Sequence, residues 1–265
     1  MRWRRALPRA LRRRRGGVRG LSNLSNIVIE QSTFRDFGED VIRFDTDNSN
    51  VRIWTTSIDN SDADGIEFDD RSSNIEIRDV QISNVGFEGV DFDSDNNTDI
   101  VISRVTVDRA STEAIEFQDF NSNILISDVV VTNTSLEAIE FEDNNTNVVI
   151  RNATVLNTGL EGVEFDNNNE ITIVNSAIIN TGNDAIKFRG TNNTVTIDNT
   201  TFAGNIGINN THDLIDVVQP GNVLNGSGNI NNAVISGALC RGAGNFTGTF
   251  QIDGTVIVDG GPPCI

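Results

Sequence analysis

Seven phenylalanines recur at nearly constant spacing along this chain: Phe44, Phe68, Phe92, Phe117, Phe141, Phe165 and Phe188. The intervals are 24, 24, 25, 24, 24 and 23 residues. A period held that tightly means one structural unit stacked on itself. Around each Phe the same string returns, as in Asp64-Gly65-Ile66-Glu67-Phe68, Glu88-Gly89-Val90-Asp91-Phe92 and Glu113-Ala114-Ile115-Glu116-Phe117. Residues 40–44 open the series, 137–141 and 161–165 continue it, and 184–188 follow. Residues 213–217 read as an eighth copy with Val217 in the Phe place, after about five inserted residues in a loop at 207–211.

A second string lies earlier in each unit. Apolar pairs alternate with polar residues, from Ile27/Ile29 and Val51/Ile53 through Ile124/Ile126 to Val195/Ile197. Five residues after each pair comes another apolar side chain, such as Ile58, Val107 or Ile178. Each unit therefore holds three short segments with period-two alternation, rich in β-branched residues and Phe, which is a strand signal. Asn, Asp, Ser, Thr and Gly separate them and supply turns. Three strands in about 24 residues leave no room for a helix. Each strand must pair with its own copy one unit later, in parallel and at about 4.8 Å per coil.

The fold expected is all-β, a three-strand parallel β-helix of about eight coils. Ile66 and Phe68 point inward, Glu67 points outward, and every copy repeats this. One coil buries only about five large apolar side chains at roughly 1.5–3 kcal/mol each. Ordering its backbone costs more, at about 1–2 kcal/mol per residue, so only the stack is stable. A leucine-rich repeat has a similar period, but it needs Leu columns, and Leu is scarce here. The block from Asn147 to Phe165 resembles the right-handed β-helix repeats of the pectin-lyase-like superfamily, and the likeness extends over roughly residues 25–217. It implies a fold more than an activity, because that superfamily includes pectate lyases, polygalacturonases, epimerases, phage tailspikes and adhesins.

The repeat reads as one domain over 25–218, between a basic leader at 1–24 and a C-terminal cap at 219–265. The leader has nine Arg and no acid in its first 20 residues, which leaves 11 basic against 38 acidic residues beyond it, a net charge of −27. It is not a convincing secretory signal, since its apolar stretch is short and broken by Pro8 and Arg9. It reads as a disordered arm or capping helix, or as the cut end of a longer chain. So acidic a body repels phosphate and disfavours nucleic acid. No run of 18 apolar residues offers a transmembrane span. Cys240 and Cys264 are expected to form a disulfide in the cap. The Asn- and Thr-rich, nearly Lys-free composition suits an exported protein.

The repeat turns copies into vertical files. One is acidic in every copy: Asp40, Asp64, Glu88, Glu113, Glu137, Glu161, Asp184 and Asp213. Turn capping accounts for its Asp members and poorly for four consecutive Glu. A second runs Arg43, Glu67, Asp91, Glu116, Glu140, Glu164, Lys187, and a third runs Asp45, Asp69, Asp93, Gln118, Glu142, Asp166, Arg189. Carboxylates about 5 Å apart repel by on the order of 1 kcal/mol even in water. Oxygen-rich files suit Ca²⁺, with Glu67, Asp69, Asp91, Asp93, Glu116, Glu140, Glu142, Glu164 and Asp166 as candidate ligands; the alternative is a solvated acidic face with no cofactor.

Catalysis has weaker support. Asp184, Lys187, Arg189 and His212 are the candidates, the first three beside Glu164 and Asp166 in an arrangement that the lyase resemblance makes relevant. The Gly-His-Gly and Arg-Ile-Lys segments of polygalacturonase-like enzymes are missing from the sequence. Trp54 is the one Trp of the repeats, at an outward position where a sugar could stack. The function expected is an exported or surface β-solenoid that binds a polysaccharide or cell-surface polymer, adhesin-like or carbohydrate-associated. The alternative is a polysaccharide lyase or glycoside hydrolase.

Overall fold

The computed structural model describes residues 17–202. Beyond them it describes only the strand backbones of Arg2–Trp3, Ile215–Asp216, Val223–Ile230, Cys240–Arg241, Asn245–Ile252 and Thr255–Val258. Every coil repeats three strands, as in Ser49–Trp54, Ser57–Ser61 and Ile66–Phe68. Each pairs in parallel with its copy in the next coil. Val90, Asp91 and Phe92 sit over Ile115, Glu116 and Phe117, and these over Ile139, Glu140 and Phe141. The first and second strands make one continuous sheet and the third strands make another. The described residues contain no helix. None is therefore long and apolar enough to cross a membrane as a helix.

The interior is a set of vertical stacks. From Phe44 to Phe141 adjacent rings lie 4.7–5.2 Å apart and within 10° of parallel. The spacing widens to 5.9 Å at Phe165, and Phe188 tilts by 55°. Isoleucines and valines of all three strands fill the rest of one continuous core.

A file of buried amides runs beside the rings: Asn97, Asn121, Asn145, Asn169 and Asn193. From Asn97 to Asn169 each backbone N–H donates to the side-chain oxygen of the next coil, as from Asn121 to Asn145 at 3.1 Å and from Asn145 to Asn169 at 2.9 Å. Each side-chain amide also donates to a carbonyl at the preceding corner, as from Asn145 to Gln118 at 2.8 Å. These corners turn sharply enough to leave backbone donors unpaired, and the buried amide satisfies them at every level.

The corners also explain the abundance of Asn. Four files of residues take positive φ, and most members are Asn or Asp, which tolerate the left-handed region through local hydrogen bonds. The 23-residue coil shows how length is adjusted. The file Asn26, Asn50, Asn74, Asp99, Asn123, Asn147 has no member in the next coil, and the first strand shortens from Thr146–Arg151 to Glu170–Val174.

Strand pairing reaches beyond the clear repeats. Within the leader, Val18–Leu21 is a strand and not a helix, and it pairs with Ile42–Phe44. Ile215 and Asp216 sit over Ile186 and Lys187, the register expected of the eighth copy. Val223–Ile230 and Asn245–Ile252 continue the parallel ladder, and Thr255–Val258 closes on the latter in antiparallel fashion. The expected Cys240–Cys264 disulfide, His212 and Asp213 lie outside the described residues.

A central ring and a buried amide should each be costly to remove. Phe117→Ala is expected to destabilise by about 3–5 kcal/mol. Asn145→Ala strands the Asn121 N–H, at about 1–3 kcal/mol, and leaves the Gln118 carbonyl only the longer bond from the Asn121 amide. Urea unfolding of the two variants beside the parent measures both losses.

Candidate functional site

The third strand is three residues long, so only its middle residue faces away from the core. Ile66 and Phe68 lie inside and Glu67 lies outside, in register with Arg43 below and Asp91 above. The residue two positions before the strand and the one just after it flank that file. Three files of acids therefore lie side by side on one face.

The sequence leaves a Ca²⁺-binding face and a solvated face both open, and the structure adds how deeply these acids are buried. Asp91 is only 5% exposed, Glu164 2% and Glu161 1%, while Asp64, Glu67, Glu113, Glu137 and Glu140 are also buried. These side chains leave the core but pack against their copies in the neighbouring coils. The first file, assigned to turn capping on sequence grounds, joins the same cluster. Asp64 does cap, accepting from the Glu88 N–H at 3.0 Å. Oxygens of Asp64, Glu88 and Asp91 also lie within 4.8 Å of one another, and carboxylates that close repel unless a proton or a cation is held beside them.

Bases close the two ends. Arg43 reaches Glu67 at 2.6 Å, Asp69 at 2.9 Å and Asp45 at 3.3 Å. Lys187 reaches Glu161 at 2.8 Å and Glu164 at 3.1 Å. Arg189 reaches Glu164 at 3.1 Å and Glu140 at 3.6 Å. Between them, Asp64, Glu88, Asp91, Glu113, Glu116 and Glu137 have no base within ion-pair distance among the described residues.

Burial, reinforced by neighbouring acids, pushes the carboxyls up: Glu67 and Glu140 to about 8, and Asp64, Glu116 and Glu137 to about 9. Asp91 is raised well above the usual carboxylate range by burial and by Glu116, Glu88, Asp64 and Asp93. Asp69, Glu142 and Asp166 are raised by burial too. Burial alone would lower Lys187, but hydrogen bonds to Glu161 and Glu164 and their charges outweigh it and raise the amine above its ordinary value. Lys187 is thus an ammonium at neutral pH and a poor proton acceptor.

The residues named from sequence meet as follows. Oxygens of Glu67, Asp69 and Asp93 lie within 4.8 Å of one another, and so do those of Asp64, Glu88 and Asp91 and of Glu113, Glu137 and Glu140. Glu164 and Asp166 are occupied by Lys187 and Arg189. Asp184 is buried next to that group. Trp54 is not a free platform, because the Arg52 guanidinium lies 5.5 Å over its ring. Among the described residues two other aromatics are exposed. Phe87, at 51%, immediately precedes Glu88 of the first file, and Phe120, at 49%, follows Gln118 of the third by two residues. Phe120 also takes a φ of 56° in a file otherwise filled largely by Asn, an uncommon conformation for a bulky residue.

No protein-family model matches this sequence, and no curated protein does. Among solved structures, the chain is similar to the catalytic unit of a thermostable GH87 α-1,3-glucanase from Streptomyces thermodiastaticus strain HF3-3. The TM-score is 0.60 at 13% identity, with 89% of this chain and 50% of that chain covered. The fold is a parallel β-helix. This chain spans half the length of that enzyme, and at this identity the likeness carries the fold alone.

The raised carboxyls set an unusual pH dependence. Their ordinary values are 3.8 and 4.5, and the folded values are about 8–9. Between these limits the folded state binds more protons than the unfolded chain, so stability falls as pH rises. In chelator, the melting temperature should drop steadily from about pH 5 to 9, by roughly 2–4 °C for each kcal/mol lost. Differential scanning calorimetry across that range checks the slope.

Proposed function

We propose that this chain is an exported or surface-associated β-solenoid that works by binding and not by catalysis, a carbohydrate-associated or adhesin-like module whose acidic face takes up Ca²⁺. The observation that carries this reading is the crowding of buried carboxylates without matching bases along coils of nearly constant length. A fold that only needed solubility gains nothing from burying Asp91 and Glu137. Hard oxygen donors at this density suit Ca²⁺. Phe87 and Phe120, on opposite borders of the acid files, offer flat apolar surfaces for sugar rings. A polyanion would be repelled unless cations intervene, so a neutral polymer fits best. Thermal melting in millimolar CaCl₂ against chelator is the test. The melting temperature should rise by at least about 5 °C, and an unchanged value removes the calcium part of the proposal.

A second reading, glycoside hydrolysis, is favoured by the α-1,3-glucanase to which the fold is similar. Such chemistry needs one protonated and one ionised carboxyl. Glu116, held at about 9, is protonated at neutral pH. Lyase chemistry has less support, since Lys187 is locked as an ammonium between Glu161 and Glu164. A screen for reducing or unsaturated sugars released from α-1,3-glucan, pectate and alginate, with and without Ca²⁺, separates binding from catalysis. The binding reading expects none. Release that disappears in Lys187→Ala or Glu116→Gln would establish the enzyme.

A further inference from the structure

The acid face is not uniform. Near the Arg43 end Glu67 and Asp69 are ion-paired, and near the other end Lys187 and Arg189 occupy Glu161, Glu164 and Asp166. The unneutralised stretch is the middle. Within it, up to Glu140 at its far edge, which Arg189 reaches at 3.6 Å, three groups have oxygens close enough to share one ion: Asp64, Glu88 and Asp91; Glu88, Glu113 and Glu116; Glu113, Glu137 and Glu140. Each takes two members from the first file and one from the second, one coil further on each time. The third file contributes to none of these groups.

A cluster of acids alone does not make a site, and Asp91 supplies the additional observation. It is 95% buried, by its 5% exposure, and one carboxylate oxygen has no hydrogen-bond partner. Four acids and no base surround it: Glu116, Glu88, Asp64 and Asp93. A buried carboxylate oxygen aimed into a group of acids is the environment a cation corrects.

We propose that the central coils hold a row of Ca²⁺ sites, one per coil, each built from two consecutive first-file carboxylates and the second-file carboxylate of the upper coil, with Glu88 and Glu113 each bridging two ions. This rests on the reading that the acidic face takes up Ca²⁺. It departs from the sequence-based ligand set, which drew on the second and third files. Coordination chemistry favours Ca²⁺ over Mg²⁺. Each group gathers three carboxylate oxygens within 4.8 Å of one another, and Ca²⁺ accepts flexible all-oxygen ligand sets of this kind. Mg²⁺ demands near-ideal octahedral geometry and gives up its waters reluctantly. Charge favours a row also: three dications nearly balance the seven carboxylates of the three groups.

The test titrates the full chain, stripped with chelator, with CaCl₂ at neutral pH by calorimetry and follows melting in parallel. The parent is compared with the inner double variant Asp91→Asn/Glu116→Gln and the outer double variant Asp69→Asn/Glu142→Gln. The inner variant should lose at least about tenfold in Ca²⁺ affinity while melting higher than the parent in chelator, because it no longer has to hold two buried carboxyls protonated at neutral pH. The outer variant should keep its affinity within about threefold, and MgCl₂ should bind the parent at least about tenfold more weakly than CaCl₂. A parent that takes up no Ca²⁺ overturns the calcium reading and the row together. A parent that binds, with an inner variant of unchanged affinity or with the outer variant losing more, overturns only the row. An inner variant that loses binding and metal-free stability together also overturns it, because Asp91 and Glu116 would then be structural.

Discussion

Parallel pairing in register places each side chain over the equivalent side chain of the next coil. The rise of about 4.8 Å per coil is set by backbone hydrogen bonds and does not adjust to what the side chains prefer. Apolar rings gain from this, since the spacing is close to the contact distance of stacked aromatics. Buried amides gain too, because an amide both donates and accepts and forms a continuous ladder through Asn97 to Asn193. Carboxylates lose, because each is held next to its own charge.

The acidic face is therefore the one part of the repeat that works against the pairing that creates it. The molecule handles this differently along its length. At the ends, Arg43, Lys187 and Arg189 neutralise the files directly. In the middle, burial and mutual repulsion raise the carboxyls far above their ordinary values, so a proton or a metal ion must serve. The Phe stack and the amide ladder hold the strands in place while this happens. Stability made in the core is what permits strain on the outer face.

Much of the architecture was legible in the sequence because the repeat displays it directly. The Phe period gives the coil, the apolar alternation gives the three strands, and Ile215 and Asp216 continue the register. The identity of the outer files was legible for the same reason. Their burial was not, because exposure depends on how densely neighbouring files pack, which one strand considered alone does not reveal. The role of the first file was hidden because a carboxylate before a strand looks like a turn cap, and Asp64 is one. The run Glu88, Glu113, Glu137, Glu161 was the signal, since Glu caps such turns poorly. Alternation identified the outward face of Trp54 but not that the guanidinium of Arg52, two residues earlier on the same face, lies over its ring. The exposed Phe87 and Phe120 fall at corner positions outside the strand pattern, where periodicity carries no information.

The most direct test of the account is crystallographic. Crystals grown in CaCl₂, with Tb³⁺ soaked into a second set for its anomalous signal, would locate the ions themselves. The account predicts peaks spaced by about one coil rise over Asp91, Glu116 and Glu140, and none beside Arg43 or between Lys187 and Glu161. A central face without peaks, its carboxyls paired only with one another, would contradict it.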